Sequence, residues 1–228
     1  MKFKAVIVFA FFVCSALPGI SLAQNKIVVI PLMSDCGDKI PTVTSNGQVW
    51  MDRNLGAHRV AQSVDDYQAY GWLYQWGRLA DGHEVRGSGT TAVLSAGNVP
   101  GHDNFITVTT SPYDWRNPQN NNLWQGASGV NNPCPAGFRL PTDTEWDTER
   151  ASWSSNNSAG AFASPLKLVV AGNRLYGNGM VINEGSYGHY WSSTVLDANA
   201  RSLYFHSDGA SRLSYYSAYG FSVRCIKD

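Results

Sequence analysis

The stretch "NPCPAGFRLPTDTEWD" (residues 131–146) constrains this chain more than any other. Thr142 followed by Glu145 is a capping box: the hydroxyl accepts from the glutamate's backbone N–H, and the carboxylate reaches back to the threonine N–H. Pro141 sets the approach, so a helix is expected from Thr142, with Trp146 and Trp153 sharing a face. Cys134 stands just ahead of it. At the far end, "GFSVRCIKD" alternates Phe221, Val223 and Cys225 with Ser222, Arg224 and Ile226, the period of a strand carrying Cys225 on its apolar face.

Whether Cys134 does chemistry or holds the chain together depends on the compartment. Met1-Lys2-Phe3-Lys4 is a short basic segment, "AVIVFAFFVCSAL" is apolar, and "ISLAQ" ends in small residues. Together they read as a secretory leader, residues 1–23, cut after Ala23. The apolar run is too short for a membrane span. Lipidation at Cys14 is disfavoured by the bulky Phe11-Phe12-Val13 before it. The sequence predicts a protein secreted, on the outer surface, or in the periplasm of a bacterium.

Cys36, Cys134 and Cys225 remain after cleavage, and an oxidising compartment favours pairing. Three pairings are open. Cys134 with Cys225 is favoured because both lie in strongly patterned context; Cys36 is then the free cysteine. A nucleophilic cysteine is the rival reading, but only Arg139 and Arg224 lie nearby to activate one.

The chain has 17 basic and 17 acidic residues, and loss of Lys2 and Lys4 leaves a slight acidic excess. With no basic run, nucleic acid is not an expected partner. Trp, Tyr, Gly, Asn and Ser are abundant, a loop-rich extracellular composition.

Along the chain, 24–44 reads as a lead-in with a strand at "KIVVIPLM" (26–33), and 45–228 as one domain. "GQVWMDRNLGA" (47–57) reads as a turn, a strand and a turn. Residues 65–82 predict a helix from Tyr67, Tyr70 and Tyr74, with Asp65 and Asp66 at its start, although Gly71 and Gly77 count against it. Residues 83–133 are irregular. "LKLVVAG", "HYWSSTVL", "RSLYFHS", "RLSYYSA" and "GFSVRCIKD" predict short strands. The fold class expected is α+β, with two helices early and short antiparallel strands late.

"GQVWMDRNLG", "YGWLYQWGR", "CPAGFRLPTDTEW", "YWSST" and "GFSVRCIKD" occur in the order of the hallmarks of the Fibrobacter succinogenes major paralogous domain, which the chain resembles from about residue 45 to its end. That resemblance implies a C-type-lectin-like fold and a secreted or surface protein without an assigned general activity. "RLPTDTEW" also looks like a stretch of the formylglycine-generating enzymes, which share the fold. Their closely spaced catalytic cysteine pair has no counterpart here, so no catalytic residue and no cofactor are carried over. The Glu-Pro-Asn, Gln-Pro-Asp and Trp-Asn-Asp triplets of calcium-dependent lectins are also missing, leaving calcium binding of that kind unsupported.

The segment 197–219, "DANARSLYFHSDGASRLSYYSAY", is the expected ligand face. Leu203, Phe205 and Leu213 would point inward. Tyr204, His206, Asp208, Arg212, Tyr215, Tyr216 and Tyr219 would be exposed, a mixture suited to recognition. Trp115 and Trp124, set among Asn and Gly, are further exposed candidates, while Trp50, Trp72, Trp76, Trp146 and Trp191 are expected in the core. The scatter of Ser, Asp, Tyr, His, Gly, Arg and Ala between "YWSST" and "GFSVRC" resembles the targets of diversity-generating retroelements, which mutate adenine-rich codons. An ordinary wet sheet face is the plainer reading of that segment. The histidines lack metal-ligand spacing, so no metal site is expected. The reading is a recognition module for a glycan or protein ligand outside the cell. An enzyme of the formylglycine-generating fold and a structural subunit of a surface assembly are the alternatives.

Overall fold

The computed structural model describes residues 40–228 and the backbone of two short strands before them, β1 (Ser21–Ala23) and β2 (Lys26–Val28), which pair antiparallel. Apart from these strands, the expectations for the leader, Cys14, Cys36 and the rest of the 26–33 strand fall outside the described residues. Pro41–Asp228 forms one compact unit.

That unit opens with the hairpin β3 (Thr42–Ser45) and β4 (Gln48–Met51). Its two turn residues, Asn46 and Gly47, have φ of 50° and 76°. Both central positions of a type I′ hairpin turn require such values. β4 pairs with β15 (Ile226–Lys227), which pairs with β8 (Phe138–Arg139), so the last strand lies inside a four-stranded antiparallel sheet.

The second sheet runs β13 (Gly209–Tyr215), β12 (Asn199–His206), β11 (Gly188–Leu196), β9 (Ala171–Arg174), β14 (Gly220–Phe221) and β5 (Tyr74–Gln75), with β10 (Val181–Glu184) on β9. Its pairings are antiparallel except β9 with β11. A parallel pair, β6 (Thr90–Thr91) with β7 (Phe105–Ile106), stands apart. The α+β class holds, with a mixed rather than purely antiparallel sheet.

Both α-helices lie mid-chain, not early. α1 (Asp143–Ala151) starts at the predicted capping box: Thr142 Oγ1 accepts from Glu145 N, and Glu145 Oε2 accepts from Thr142 N at 2.7 Å. α2 (Ser158–Ala163) is capped by Asn157. Trp146 from α1 and Trp153, which lies just past the helix's end rather than on it as expected, meet Tyr190, Leu203, Phe205 and Ala210, which form one face of the second sheet. The Trp146 indole donates to Trp191 O at 3.0 Å, and its ring lies 5.0 Å from that of Trp50, joining the two sheets.

The helix expected over 65–82 does not form. Asp66 caps a single 3₁₀ turn, Tyr67–Ala69, and the chain then turns at Gly71 (φ 67°) and Gly77 (φ 84°). A Cβ on Gly71 would sit 2.3 Å from the Leu55 carbonyl oxygen, so the close approach of two backbones overrides the helical spacing of the tyrosines. Trp72, expected in the core, is partly exposed, its ring packed over Gly56.

Residues 83–133 have little regular structure yet contribute much of the core. Phe105, Ile106, Val108, Trp115, Leu123 and Trp124 are buried. Side chains satisfy the irregular backbone there: the Asn131 amide donates to Gly77 O and Asn98 O, and the Gln75 amide to Ile106 O and Ala218 O.

Cys134 and Cys225 form a disulfide, with Cα atoms 5.9 Å apart. The final strand differs from its predicted form. The single strand expected over 220–228 is broken: Gly220–Phe221 pairs in the second sheet and Ile226–Lys227 in the first, Cys225 lies between them outside both, and Phe221 through Ile226 are all buried, polar residues included. Arg224 is the largest polar group there. Its guanidinium donates twice to Asn54 Oδ1 (2.9 and 3.1 Å) and to Leu166 O (2.7 Å).

Candidate functional site

Strand register decides which predicted residues share a face, because directly opposed residues point the same way. His189 pairs with Tyr204, and Tyr204 with Ser211; Ala200 pairs with Tyr215. His189, Tyr204, His206 and Tyr215 therefore stand on the outer face, away from α1. Leu203 and Phe205 point into the core as expected. Leu213 does not: opposite Ser202, it lies on the outer face and is 38 % exposed. Arg212 is likewise corrected. Opposite Leu203, it faces α1, where its guanidinium meets Asp143 at 2.6 Å and Asp147 at 3.0 Å. It braces the helix and is unavailable to a ligand on the outer face.

The outer face holds two hollows that share Leu175 and Tyr219. The first, about 330 Å³, is walled by Tyr187, Tyr204, Tyr215 and Tyr219 over His189 and Phe221, with Asn173 and Asn183 at one side. The second, about 570 Å³, lies among Tyr113, Tyr176, Tyr219, Val108 and Thr109. The rings brace one another. Tyr187 stacks on Tyr204 at 5.8 Å with an interplanar angle of 17°, and His189 stacks on Phe221 at 4.5 Å. Tyr216 leans on Tyr113 at 4.4 Å and on Tyr176 at 5.3 Å, supporting the second hollow.

Among the sequence-predicted residues, Tyr204, Tyr215 and Tyr219 meet in one hollow and Tyr216 backs the other. His206 lies beside Tyr204 and Tyr187. Asp208 is exposed in the β12–β13 turn. All but Asp208 are partly buried rather than fully exposed. Trp115 and Trp124 are the clear corrections: they are 1 % and 0 % exposed. The Trp115 indole donates to Trp76 O at 2.7 Å, and Trp124 packs on Trp76. Asn-rich surroundings signalled turns that fold over the tryptophans, not turns that display them.

Tyr187, His189, Asn173 and Asn183 were not anticipated. The available signal was the alternation of Tyr187, His189 and Trp191 against Gly188 and Tyr190, which puts an aromatic face on each side of β11. Asn183 (φ 62°) donates to Asn173 Oδ1 at 3.0 Å, fixing the pair at the hollow's side.

His189 is only 5 % exposed, and its Nδ1 has no hydrogen-bond partner. Burial pushes its pKa down to about 3, so the ring is neutral at physiological pH. The same removal from water raises Tyr215 to about 12, with Tyr204 and Tyr219 adding to it, so its hydroxyl stays protonated.

A second cluster, Asp81, His83 and Glu84, has ligand atoms close enough for a metal ion. Its groups are already engaged. His83 Nδ1 lies 2.6 Å from Asp81 Oδ1, and His83 Nε2 accepts from Gln75 N. Asp81 also binds Arg78, and Glu84 Oε2 accepts from Gly82 N. Both ring nitrogens serve the fold, and the cluster acts as a buried brace for the β5 segment.

Burial pushes His83 down to about 4, with Asp81 opposing in part. As pH falls from about 6.5, the unfolded chain takes up protons that the folded His83 and His189 refuse. Stability is lost over that window, by about 1.4 kcal/mol per pH unit for each histidine. Burial raises Asp114 to about 6, so it binds its proton first in the folded state and offsets one histidine between pH 6 and 4. The expected net loss is on the order of 1 kcal/mol per unit across that range, lessened toward its acid end by Glu84, which burial also raises. Urea denaturation at pH 6.0, 5.0 and 4.5 (on the order of these steps) measures the slope, and His189→Phe should flatten it. An equal slope in that variant would refute the assignment to His189.

No helix among the described residues is long and apolar enough to cross a membrane. In comparisons with known proteins, no family model, no curated protein and no solved structure matches this chain.

Proposed function

We propose that this protein is a secreted or surface-displayed recognition module with a C-type-lectin-like fold, binding a glycan or protein ligand through the outer face of β11–β13. The observation that carries this reading is the convergence of Tyr204, Tyr215 and Tyr219 on one solvent-open hollow. Tyrosine offers large contact area with little rotamer freedom to lose, and neighbouring strands already hold these rings in place. The hollow lies on a sheet whose other face is packed against α1 and α2, so the display surface stands on a rigid support. The two-helix, many-strand architecture is that of an α+β fold, and the Cys134–Cys225 disulfide ties its last strand to the segment ahead of α1.

The reading is of binding without turnover. The residues lining the first hollow include one imidazole and no carboxylate, thiol or lysine to work with it. If the 197–219 segment is a diversified one, Tyr204, His206, Tyr215 and Tyr219 are the positions at which changes alter the ligand surface. A near-identical template repeat and a reverse-transcriptase gene beside the coding sequence are then expected.

The test is a mixed array of glycans and extracellular proteins probed with residues 24–228. Tyr204→Ala combined with Tyr215→Ala should weaken the retained ligand at least about tenfold, the loss of one or two good contacts. Arg212→Gln, on the opposite face, should leave it unchanged. Equal binding by the double variant would sink the assignment of this face.

A further inference from the structure

We infer that the two hollows are consecutive subsites for an uncharged oligosaccharide chain, with Tyr219 as the wall they share. This rests on the recognition reading above and narrows its ligand.

The first argument is charge. No Asp, Glu, Lys or Arg lines either hollow. A carboxylate or phosphate would find no cation there. A quaternary ammonium would find ring faces but no counter-charge. A neutral ring loses nothing by the absence of either sign.

The second is the pattern of polar groups. A purely apolar occupant would strand the polar edges of the walls, namely the tyrosine hydroxyls, the Asn173 and Asn183 amides and the His189 ring. The asparagine pair uses one donor and one acceptor on itself, which leaves Asn173 Nδ2 and Asn183 Oδ1 for a guest. His189 lines the floor of the first hollow and is neutral, adding an aromatic face without a charge. Sugars present what these walls lack: hydroxyls around the edge and C–H faces that lie flat on aromatic rings.

The third is size and continuity. Volumes of about 330 and 570 Å³ each fall within the range of about 300 to 1,000 Å³ usual for small-ligand sites. They meet at Leu175 and Tyr219. The Tyr219 ring is held from both sides, 5.4 Å from Phe221 in the first hollow and 4.7 Å from Tyr176 in the second. A guest longer than one unit can lie across that ring and occupy both.

The test is calorimetry on residues 24–228 with neutral glucose, galactose, mannose and N-acetylglucosamine series, from one unit to four. Oligogalacturonate and oligoglucosamine serve as the charged arms. At least one neutral series should bind, and affinity should rise about tenfold or more once the chain spans both hollows. Tyr219→Ala should abolish that rise and also weaken the shortest binding member, because the ring walls both hollows, whereas Tyr113→Ala, which removes a wall of the second hollow alone, should cut the rise while the shortest member keeps its affinity. Tyr219→Phe, which keeps the ring, should retain most of the rise and shows that the fold tolerates change there. No binding by any neutral series, no gain with length, or tighter binding of a charged series would each overturn the inference. If saccharides fail while a protein ligand is still lost on Tyr204→Ala with Tyr215→Ala, the recognition reading stands without the saccharide. If that double variant leaves binding intact, the recognition reading itself falls.

Discussion

Replacing both Cys134 and Cys225 with alanine is expected to lower stability by about 4 to 5 kcal/mol, the chain-entropy value for a loop of this length. The two residues are 91 apart in sequence, and the segment between them holds both α-helices and the whole β9–β14 run. Releasing the bond lets the unfolded chain expand without that closure. It also frees β15, a two-residue strand held otherwise by pairing with β4 and β8. For a unit of this size the loss corresponds to a fall of roughly 10 to 20 °C in Tm. Calorimetric melts of the variant and of the reduced protein measure it. A fall of less than about 3 °C would mean that the remaining packing holds the last strand unaided.

Arg224→Ala should also cost several kcal/mol, about 2 to 5, for the buried acceptors it leaves without donors. Arg224 is buried and faces no carboxylate within hydrogen-bonding reach; carbonyl and amide oxygens take its donors. Burial lowers its pKa to about 10, and Tyr190 opposes this in part. Asn54 passes the connection on: its Oδ1 accepts from Arg224, and its Nδ2 donates to Tyr70 O and to the Tyr190 hydroxyl. Tyr190 OH in turn donates to Val169 O. Truncation would leave Asn54 Oδ1 and Leu166 O without their donors in the core, the costly half of a broken hydrogen bond. Lysine cannot reproduce the two-pronged contact with Asn54, so Arg224→Lys should also lose stability. Urea denaturation of Arg224→Met, Asn54→Leu and their combination gives the coupling, expected at about 1 to 3 kcal/mol. Strict additivity would show that the two side chains do not work as one network.

The features readable in advance share a cause: each was encoded by neighbours in sequence. Thr142 and Glu145 announce α1 because both halves of the capping box lie within one turn. The strand in 47–57 was legible with a turn before it, while the pairing of that strand with Thr42–Ser45 through Asn46-Gly47 emerges only in the structure. The disulfide was legible because each cysteine sat in a patterned segment. The misreadings arise where distant parts of the chain decide. The tyrosines of 65–82 have helical spacing, but the Leu55 backbone, pressed against Gly71, sets the local path. Trp115 and Trp124 carry no periodic signal, since residues 83–133 bury side chains without regular strands to give them a rhythm. The ligand face was half visible. Tyr204, Tyr215 and Tyr219 belong to one contiguous stretch, whereas Asn173, Asn183 and His189 join them only through sheet pairing. Arg212 was misplaced by one step of alternation, the smallest error that moves a side chain to the opposite face.

The covalent tie at Cys225 has a mechanical meaning. The two-residue strand β15 directly follows it, and the chain before Cys134 runs back through Asn131, whose amide is clamped to Gly77 and Asn98. Force applied from the β15 side can peel that short strand before it meets a bond that does not unzip. Beyond that point the load passes sideways into the segment ahead of α1, bypassing the strands that carry the tyrosines. Tension from that side would therefore spare the aromatic surface until the sulfur bridge is cut.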